Sequence, residues 1–486
     1  MIGPPNVPIK QMLLLFDING ILNIFSTTDT FYKVPNTFLR FLVFITSIIL
    51  FITIIFNRRH GKNIPKFFVY SMTCAIYLFF ITILTTNEIY NCIAIFIILT
   101  SFYFLIFYSK NNLSSIEILV MLSYLSIFLI PFFSSLIHET AFSEIDNYTR
   151  FFLVIPVYLT LREIEFSSSN FFNTINVTSI LIGIFALYCM LVLKEYRVRG
   201  FTSTALIFGN ISLLFSLFSF LSIRHYLNNN KNIIFPIVAS GASFFAWGAT
   251  GSRGSIILII VFIILLMTKP FKKILNLSIK SALAITLVAF IIFINSFTLT
   301  RYINAYESTY NYITEDSKFN WMHSDSIVPR LSIWKGSKNI ISDNILLGVG
   351  LNNFNIELEK QISEKKIKPI RYDYGSGPSQ KRVPNLTAGL NHAHNQYLDI
   401  FVKTGVFGFL VLIFFITMNL YFFYDRYRMS KKDDVKIFSL FGIVSMFGYI
   451  SYMITHSILS HQQSTLFMTL LLITLSAIIT KKLENN

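Results

Sequence analysis

Residues 407–423 read FGFLVLIFFITMNLYFF, an unbroken run without a charged side chain. Similar runs recur along the chain, and a helix that crosses a bilayer needs about 20 apolar residues. The chain has 486 residues, of which 54% are hydrophobic and 13% are charged, and its mean hydropathy is +0.61. A soluble protein of this length would need more polar surface. The sequence therefore predicts an all-α, polytopic integral membrane protein.

We expect about fourteen apolar segments, with 12–14 of them as transmembrane helices. The weakest are 11–27, which carries Asp17 and Asn19, and 147–161, which is short. The segments are 11–27, 37–56, 65–84, 91–108, 114–137, 147–161, 171–193, 203–223, 233–250, 254–268, 277–297, 397–424, 435–456 and 463–480.

Short loops of opposite charge alternate along the chain. Four basic loops, at residues 58–62, 269–280, 426–436 and 481–482, all fall on one side of the membrane in this list of segments. The loops between them, at 86–91 and 138–147, are acidic or neutral. Since Lys and Arg concentrate on the cytoplasmic side, this pattern predicts a multi-pass protein of the bacterial inner membrane with both termini inside. The net charge of +16 then reflects contact with membrane lipids, and we expect no nucleic-acid partner.

One hydrophilic stretch divides the chain into three parts. Residues 1–297 form the N-terminal transmembrane region, 298–396 a large periplasmic loop, and 397–486 the C-terminal transmembrane region. Within the loop, the hydrophobic pattern predicts helices over 330–342 and 354–366. The intervening Gly348-Val-Gly350 predicts a turn.

Four arginines break the charge pattern, because Arg197, Arg199, Arg253 and Arg330 all fall on the outer side. A guanidinium at membrane depth costs several kcal/mol unless it is paired. Arg253 has two interpretations. It is a residue that extends its charge to the interface, or it is an anion site formed with the flanking Gly251, Ser252, Gly254 and Ser255 at a helix start.

The large loop ends with Asn391-His-Ala-His-Asn395, at the same membrane face as these arginines. His-x-His alone is a weak metal signal, so we expect no metal ion and no other cofactor. A histidine in a polar cap is the simpler interpretation. Against it, imidazole is the side chain that exchanges protons near neutral pH, and a base beside phosphate-binding cations suits group transfer from a lipid phosphate.

Several motifs in this order resemble the O-antigen ligase and O-antigen polymerase superfamily, over roughly residues 145–424. The motifs are Arg-Gly-Phe-Thr (199–202), Thr-Gly-Ser-Arg-Gly (250–254), Pro-Arg-Leu-Ser-Ile-Trp (329–334), Leu-Gly-Val-Gly-Leu-Asn-Asn-Phe (347–354), and His-Asn-Gln-Tyr-Leu followed by Lys-Thr-Gly-Val-Phe-Gly (394–408). The resemblance implies a fold like that of GT-C glycosyltransferases. Typical ligases of the family have twelve spans, so the extra segments within 91–137 depart from that pattern.

The resemblance also implies roles for individual residues. His394 matches the essential histidine of the family, and Arg199 and Arg253 match arginines attributed to diphosphate binding. Arg330 matches the arginine of the loop helix. Asn395, His392 and Arg197 are possible supporting residues. No residue is implied as a metal ligand.

The function that the resemblance implies is ligation of a polysaccharide to lipopolysaccharide. The donor would be an undecaprenyl-diphosphate-linked glycan and the acceptor the lipid A core, joined with inversion at the periplasmic face. The first alternative is a polymerase of O-antigen or capsule repeat units that uses the same donor. The second is a lipid-linked oligosaccharide flippase, which should show inverted repeats and charges at the bilayer midplane. A purely structural membrane protein would leave the outward arginines unexplained.

Overall fold

The computed structural model describes residues 64–108, 113–252, 254–255, 257–260, 296–314, 327–367 and 390–484. All of them belong to one compact unit that spans Thr53–Asn486. The predicted segments 11–27 and 37–56, and most of 254–268 and 277–297, lie outside the described residues. The described part of the chain is helical throughout its regular structure and contains no strand.

Within the described residues, seven α-helices and one 3₁₀ turn precede the large loop. The α-helices are α1 (Lys66–Thr85), α2 (Ile89–Tyr108), α3 (Ser115–Ile137), α4 (Asp146–Leu161), α5 (Ser168–Leu191), α6 (Ala205–Asn228) and α7 (Ile234–Ala249), and the 3₁₀ turn is Phe142–Ile145. Their bounds lie within a few residues of the apolar segments that the sequence predicts. The agreement is close because each segment is long, apolar and bounded by polar loops.

The second half of the described chain adds the loop helices and the last spans. These are α8 (Ser296–Ile313), α9 (Ile327–Asp343), α10 (Phe354–Ser363), α11 (Gln396–Met429), α12 (Asp433–Thr455) and α13 (Gln462–Glu484), with a 3₁₀ turn at Ile458–Ser460. The two helices predicted within the large loop are confirmed as α9 and α10.

Eight of the helices in the described residues are long and apolar enough to cross a membrane, namely α1, α2, α3, α5, α6, α11, α12 and α13. The helices α4 and α7 have 16 residues each and are shorter than a full span. The prediction of an all-α polytopic membrane protein is therefore confirmed.

The centre of the bundle is formed by α6, α12 and α13, in which 83–94% of the most apolar stretch of each helix is buried. Stacked aromatic rings join them, as between Phe218 and Phe441, whose centroids lie 4.5 Å apart. Small polar residues let α5 approach α6 closely, where the hydroxyls of Ser179 and Ser219 lie 2.8 Å apart. Small residues and interhelical hydrogen bonds are the usual means of packing helices in lipid.

The bundle has two chemically different ends. At one, which we call the basic end, Arg224 and His225 at the end of α6 contact Asp433 and Asp434 at the start of α12, at 2.6 and 2.9 Å. The connection α11–α12 and the end of α13 lie there. The opposite end, where α11 and α13 begin and α12 finishes, carries a cluster of four histidines, and we call it the histidine end.

The long helix α11 is broken near the histidine end. Gly405 adopts φ +67° and ψ −163°, a conformation that is open essentially only to glycine. The carbonyl groups of Val402 and Lys403 lose their helical partners there, and buried carbonyls must be satisfied in some other way.

The glycine segment of the large loop fills this break. The N–H groups of Val349 and Gly350 donate to the carbonyls of Val402 and Lys403 at 2.8 and 3.0 Å, and Val406 N–H donates to the Ile345 carbonyl at 2.8 Å. The sequence predicts only a turn at Gly348-Val-Gly350. Instead, Gly348 and Gly350 have positive φ and seat the loop on α11.

Candidate functional site

Four histidines meet at the histidine end. His392 and His394 precede α11, with ring centroids 4.3 Å apart. His456 follows α12, and His461 precedes α13; their rings stack at 4.5 Å and 19°. His392 connects the two pairs, since its ring lies 5.7 Å from His461 and 6.4 Å from His456. Residues far apart in the sequence thus form one cluster.

Ala393, which lies between the first two histidines, is fixed at both of its backbone groups. Its N–H donates to Asp399 Oδ1 at 2.9 Å, and its carbonyl accepts from Trp334 Nε1 at 3.1 Å. Ala393 itself is fully buried. Because the alternate residues 392 and 394 flank this fixed point, both imidazoles are held at the cluster.

His394 adopts the left-handed backbone conformation, with φ +50°. This conformation costs of order 1 kcal/mol for a residue with a side chain. The next residue, Asn395, caps α11, because its Oδ1 accepts from the N–H groups of Tyr397 and Leu398 at 3.0 and 3.1 Å. Asn395 therefore ends the histidine loop and caps the start of α11.

A buried ion pair lies beneath the histidines. Asp399 Oδ2 accepts from Lys403 Nζ at 3.1 Å, one turn further along α11. Asp399 is 0% exposed and Lys403 is 7% exposed. The carboxylate therefore joins α11 to the histidine loop through Ala393, while its charge is balanced by the lysine.

The environment keeps these imidazoles neutral. Burial is the main cause that lowers the pKa of His394 from 6.5 to about 2, and interactions with the nearby His392, Arg330 and His461 act in the same direction. Burial, together with His392, lowers the pKa of His461 to about 4, although the negative charge of Asp399 opposes the change. Burial also lowers the pKa of His392 and of His456. A neutral imidazole can accept a proton, and an entering anion would raise its pKa.

Arg330 from α9 approaches the same cluster. Its charge contributes to the lowered pKa values of His392, His394 and His456. Pro329 precedes it in the first helical turn, where a missing N–H costs little. The structure thus brings together His392, His394 and Arg330, three of the predicted site residues.

The predicted Arg197 and Arg199 lie in the loop that leads to α6, at the same end of the bundle. Arg197 Nε donates to the Thr250 carbonyl at 3.0 Å. Arg199 has an exposed side chain, and its N–H donates to Glu195 Oε2 at 2.8 Å. Ser203, in the same loop, lies 3.3 Å from His461 Nδ1, so this loop borders the histidine cluster.

Arg253 lies outside the described residues, but the contacts of its neighbours Ser252, Gly254 and Ser255 are described. Ser252 Oγ donates to the Ala205 carbonyl at 3.2 Å, and Ser255 Oγ donates to Asn210 Oδ1 at 2.6 Å. Gly254 packs directly against Thr455, where there is no room for a Cβ. Since Thr455 precedes His456, Gly254 lies close to the cluster.

Sequence reasoning missed His456 and His461. A signal was present, because the loop charges predict that the 456–463 turn lies on the same side as His394. Two aromatic residues of the sequence motifs, Trp334 and Phe354, pack within the large loop. Phe354 is 1% exposed and belongs to the apolar core of the loop, and Trp334 packs against this core.

Although four imidazoles cluster here, the described part of the chain contains no group of three or more His, Cys, Asp or Glu residues arranged to hold a metal ion. The arrangement offers neutral imidazoles, a guanidinium and backbone donors in a largely buried site. Such a site can hold an anionic or sugar-bearing ligand and exchange a proton with it.

The fold and this site define the class of protein as an all-α, multi-pass membrane protein with a polar site at one end of its bundle. Residues 238–413 match the family model described as O-Antigen ligase, which confirms the resemblance noted in the sequence motifs. The matched region contains Arg253, Arg330 and His394, whereas Arg199, His456 and His461 lie outside it. The match supports a role of the O-antigen ligase or polymerase type, with lipid-linked glycans as substrates.

One curated relative covers most of the chain. A protein of Haemophilus influenzae (strain ATCC 51907 / DSM 11121 / KW20 / Rd), named "Uncharacterized protein", is 25% identical over 413 residues. The alignment covers 83% of this chain and 96% of the relative. The similarity therefore extends well beyond residues 238–413 to both halves of the bundle.

Proposed function

We propose that the protein is an O-antigen ligase. It would transfer a polysaccharide from undecaprenyl diphosphate to the lipid A core, with inversion and without a metal ion, as a glycosyltransferase of lipopolysaccharide biosynthesis. The observation that carries this proposal is His394, a half-buried, neutral imidazole that is held in a strained conformation beside Arg330. The family match of residues 238–413 supports the donor class.

The histidine end would face the periplasm. The basic end carries Arg426, Arg428, Lys431, Lys432, Lys481 and Lys482, which favour the cytoplasmic side. Because α11 begins at Gln396, two residues after His394, and ends at Met429, one residue after Arg428, the histidines would be at the opposite membrane face. Both the donor glycan and the finished core are accessible from that side.

In the proposed reaction, an acceptor hydroxyl approaches His394. The imidazole takes the hydroxyl proton as the oxygen attacks the anomeric carbon. The bond from that carbon to the diphosphate oxygen breaks, and its electron pair remains on the diphosphate. Attack from the opposite face inverts the anomeric carbon.

Cationic groups around the cluster would stabilise the charge that develops on the diphosphate. Arg330 lies close enough to lower the pKa of His394, the loop of Arg199 contacts His461, and Gly254, which follows Arg253 in the sequence, packs against Thr455. Fixed charges in a site with little water act strongly on a developing anion. Binding of the diphosphate would also raise the low pKa of His394, which makes the imidazole a stronger base once the donor is present.

The test is complementation of a deletion strain, with lipopolysaccharide resolved on gels. A ligase deletion should leave bare core and polymer on the carrier lipid, and His394→Ala should not restore the ladder. Arg330→Ala should fail as well. Lys338→Ala is its matched control, because Lys338 is an exposed cation on the same helix. Full ladders from both His394→Ala and Arg330→Ala would refute the mechanism.

The same strain separates ligase from polymerase. Core that carries a single repeat in the deletion strain would identify a polymerase instead. Purified protein, incubated with carrier-linked glycan and rough lipopolysaccharide in EDTA, should still produce the ladder. Loss of the ladder in EDTA, with recovery on adding a divalent cation, would contradict the proposal that no metal is required.

A further inference from the structure

The turn between α12 and α13 holds two histidines that the proposed reaction does not use. His456 is 2% exposed, and its ring stacks on that of His461. His461 Nδ1 lies 3.3 Å from Ser203 Oγ, so this turn also contacts the loop of Arg199. The 3₁₀ turn Ile458–Ser460 sets the spacing between the two rings.

His456 is buried without partners for its polar atoms. Neither Nδ1 nor Nε2 forms a hydrogen bond within the described part of the chain. Burying a polar group in this way costs about 1–3 kcal/mol, and native proteins rarely leave such groups unmatched. Packing alone would be served better by an apolar ring, so an imidazole at this position indicates a ligand.

The neighbouring unmatched atoms share one property, because each can donate a hydrogen bond. His461 Nε2, His392 Nδ1, Gln396 Nε2 and Arg330 Nε are all buried without a hydrogen-bond partner among the described residues. The other end of the Gln396 amide is already occupied, since its Oε1 accepts from Leu459 N–H at 2.8 Å. Gln396 Nε2 and Arg330 Nε can only donate, and each neutral imidazole offers one N–H, so a ligand that supplies oxygen atoms would satisfy these donors.

We propose that His456 and His461, with Gln396, bind a phosphoryl oxyanion at the histidine end. The chemical class follows from the donors and from Arg330, because imidazoles, an amide N–H and a guanidinium together match phosphate oxygens. The identification of its source rests on the proposed function. The oxyanion belongs either to the diphosphate of the carrier lipid or to a phosphate group on the acceptor.

Charges around the pair fit this assignment. His392, His394 and Arg330 face His456, and His392 and Asp399 face His461. Asp399 is paired with Lys403, so the surroundings of the imidazoles contain no uncompensated anion among the described residues. An oxyanion would supply the missing negative charge and raise the pKa of the imidazoles, so its binding would take up protons.

The test measures binding of farnesyl diphosphate to the purified full-length protein in detergent. His456→Phe keeps the ring volume and removes the donors. It should weaken binding about tenfold, as the loss of one charge-assisted hydrogen bond would. His456→Gln keeps one N–H donor and should bind more tightly than His456→Phe. The control is His225→Gln at the basic end, which should bind like the wild type.

Two ligand arms identify the source. Farnesyl diphosphate is compared with farnesol, and rough lipopolysaccharide is compared before and after dephosphorylation. Weaker binding by His456→Phe in the farnesyl diphosphate arm assigns the site to the carrier. A loss confined to phosphorylated lipopolysaccharide assigns it to the acceptor. Unchanged binding in both arms overturns the proposal.

Proton uptake provides an independent readout. Wild-type affinity should rise from pH 7.5 to pH 5.5 more steeply than that of the His456→Phe/His461→Phe double variant, which reports the titration of the ligand itself. Equal slopes would count against the assignment. If His456→Phe does not give monodisperse protein, His461→Phe replaces it in both assays, because residue 461 is only half-buried.

These binding measurements do not depend on glycan transfer. If the variants bind like the wild type while the wild type still restores the ladder in cells, the oxyanion site is wrong and the ligase proposal stands. If the wild type restores no ladder in cells, but His456→Phe binds farnesyl diphosphate more weakly than the wild type, the ligase proposal is wrong and the oxyanion site stands.

Discussion

Replacing Asp399 by Asn should destabilise the protein strongly and disorganise the histidine loop. The carboxylate is 0% exposed and accepts hydrogen bonds from Lys403 Nζ at 3.1 Å and from Ala393 N–H at 2.9 Å. Removing one member of a buried ion pair leaves the other charge uncompensated, which costs about 3–5 kcal/mol. We expect a loss of that size for Asp399→Asn and a similar loss for Lys403→Met.

The double variant Asp399→Asn/Lys403→Met distinguishes the ion pair from simple loss of packing. Both charges are then absent, and Asn Oδ1 can still accept from Ala393 N–H, a hydrogen bond of about 1 kcal/mol. The double variant should therefore lose less stability than either single variant. The expected coupling between the two sites is at least about 3 kcal/mol, the size of one uncompensated buried charge.

The assay is equilibrium unfolding of the purified protein in mixed micelles, with the wild type and the three variants compared at one pH. Glycan transfer in cells is measured in parallel, because the Ala393 contact should keep the double variant partly active. Additive losses in the double variant, or a loss below about 1 kcal/mol for Asp399→Asn, would refute the idea that this pair organises the site.

Three further predictions concern the backbone and the histidines. Gly405→Ala should cost at least about 2 kcal/mol in unfolding free energy, because its backbone conformation excludes a side chain; Gly241→Ala is the control, since a Cβ there meets nothing within 4 Å. Trp334→Phe removes the hydrogen bond to Ala393, so it should lower transfer in cells while costing only about 1 kcal/mol in an unfolding titration. The folded-state pKa of His394 is about 2, below its unfolded value of 6.5, so the unfolded chain binds more protons between these pH values. Stability is then full above about pH 6.5 and falls below it, and the melting temperature of His394→Phe should fall less steeply from pH 7.5 to pH 5. A steeper fall for that variant, or equal losses for both glycine variants, would contradict these expectations.

The sequence predicted the helices well because each is marked by a long apolar run between polar loops. It also predicted α9 and α10 from local periodicity. These signals are local, so they survive without knowledge of the tertiary structure. The charges of the short loops also predicted which helix ends lie on the same side of the membrane. For this reason Arg330 and His394 were expected at the same membrane face.

The contacts that build the site were not predictable, because they join residues far apart in the chain. Nothing near Ala393 indicates that Trp334 and Asp399 hold it from two sides. Gly405 and Gly348 each indicate a bend, but their pairing depends on how the large loop folds back. His456 and His461 join the site only because the ends of α12 and α13 pack beside the start of α11, which no local sequence pattern indicates.

The seat of the large loop on α11 has a consequence for how such proteins diverge. The loop is attached through main-chain groups at residues 345, 349 and 350, which donate to or accept from residues 402, 403 and 406. Main-chain attachment does not depend on the identity of the neighbouring side chains. The exposed face of α9 and α10 can therefore change its residues, and with them the molecules it contacts, while Arg330 keeps its position over the histidines.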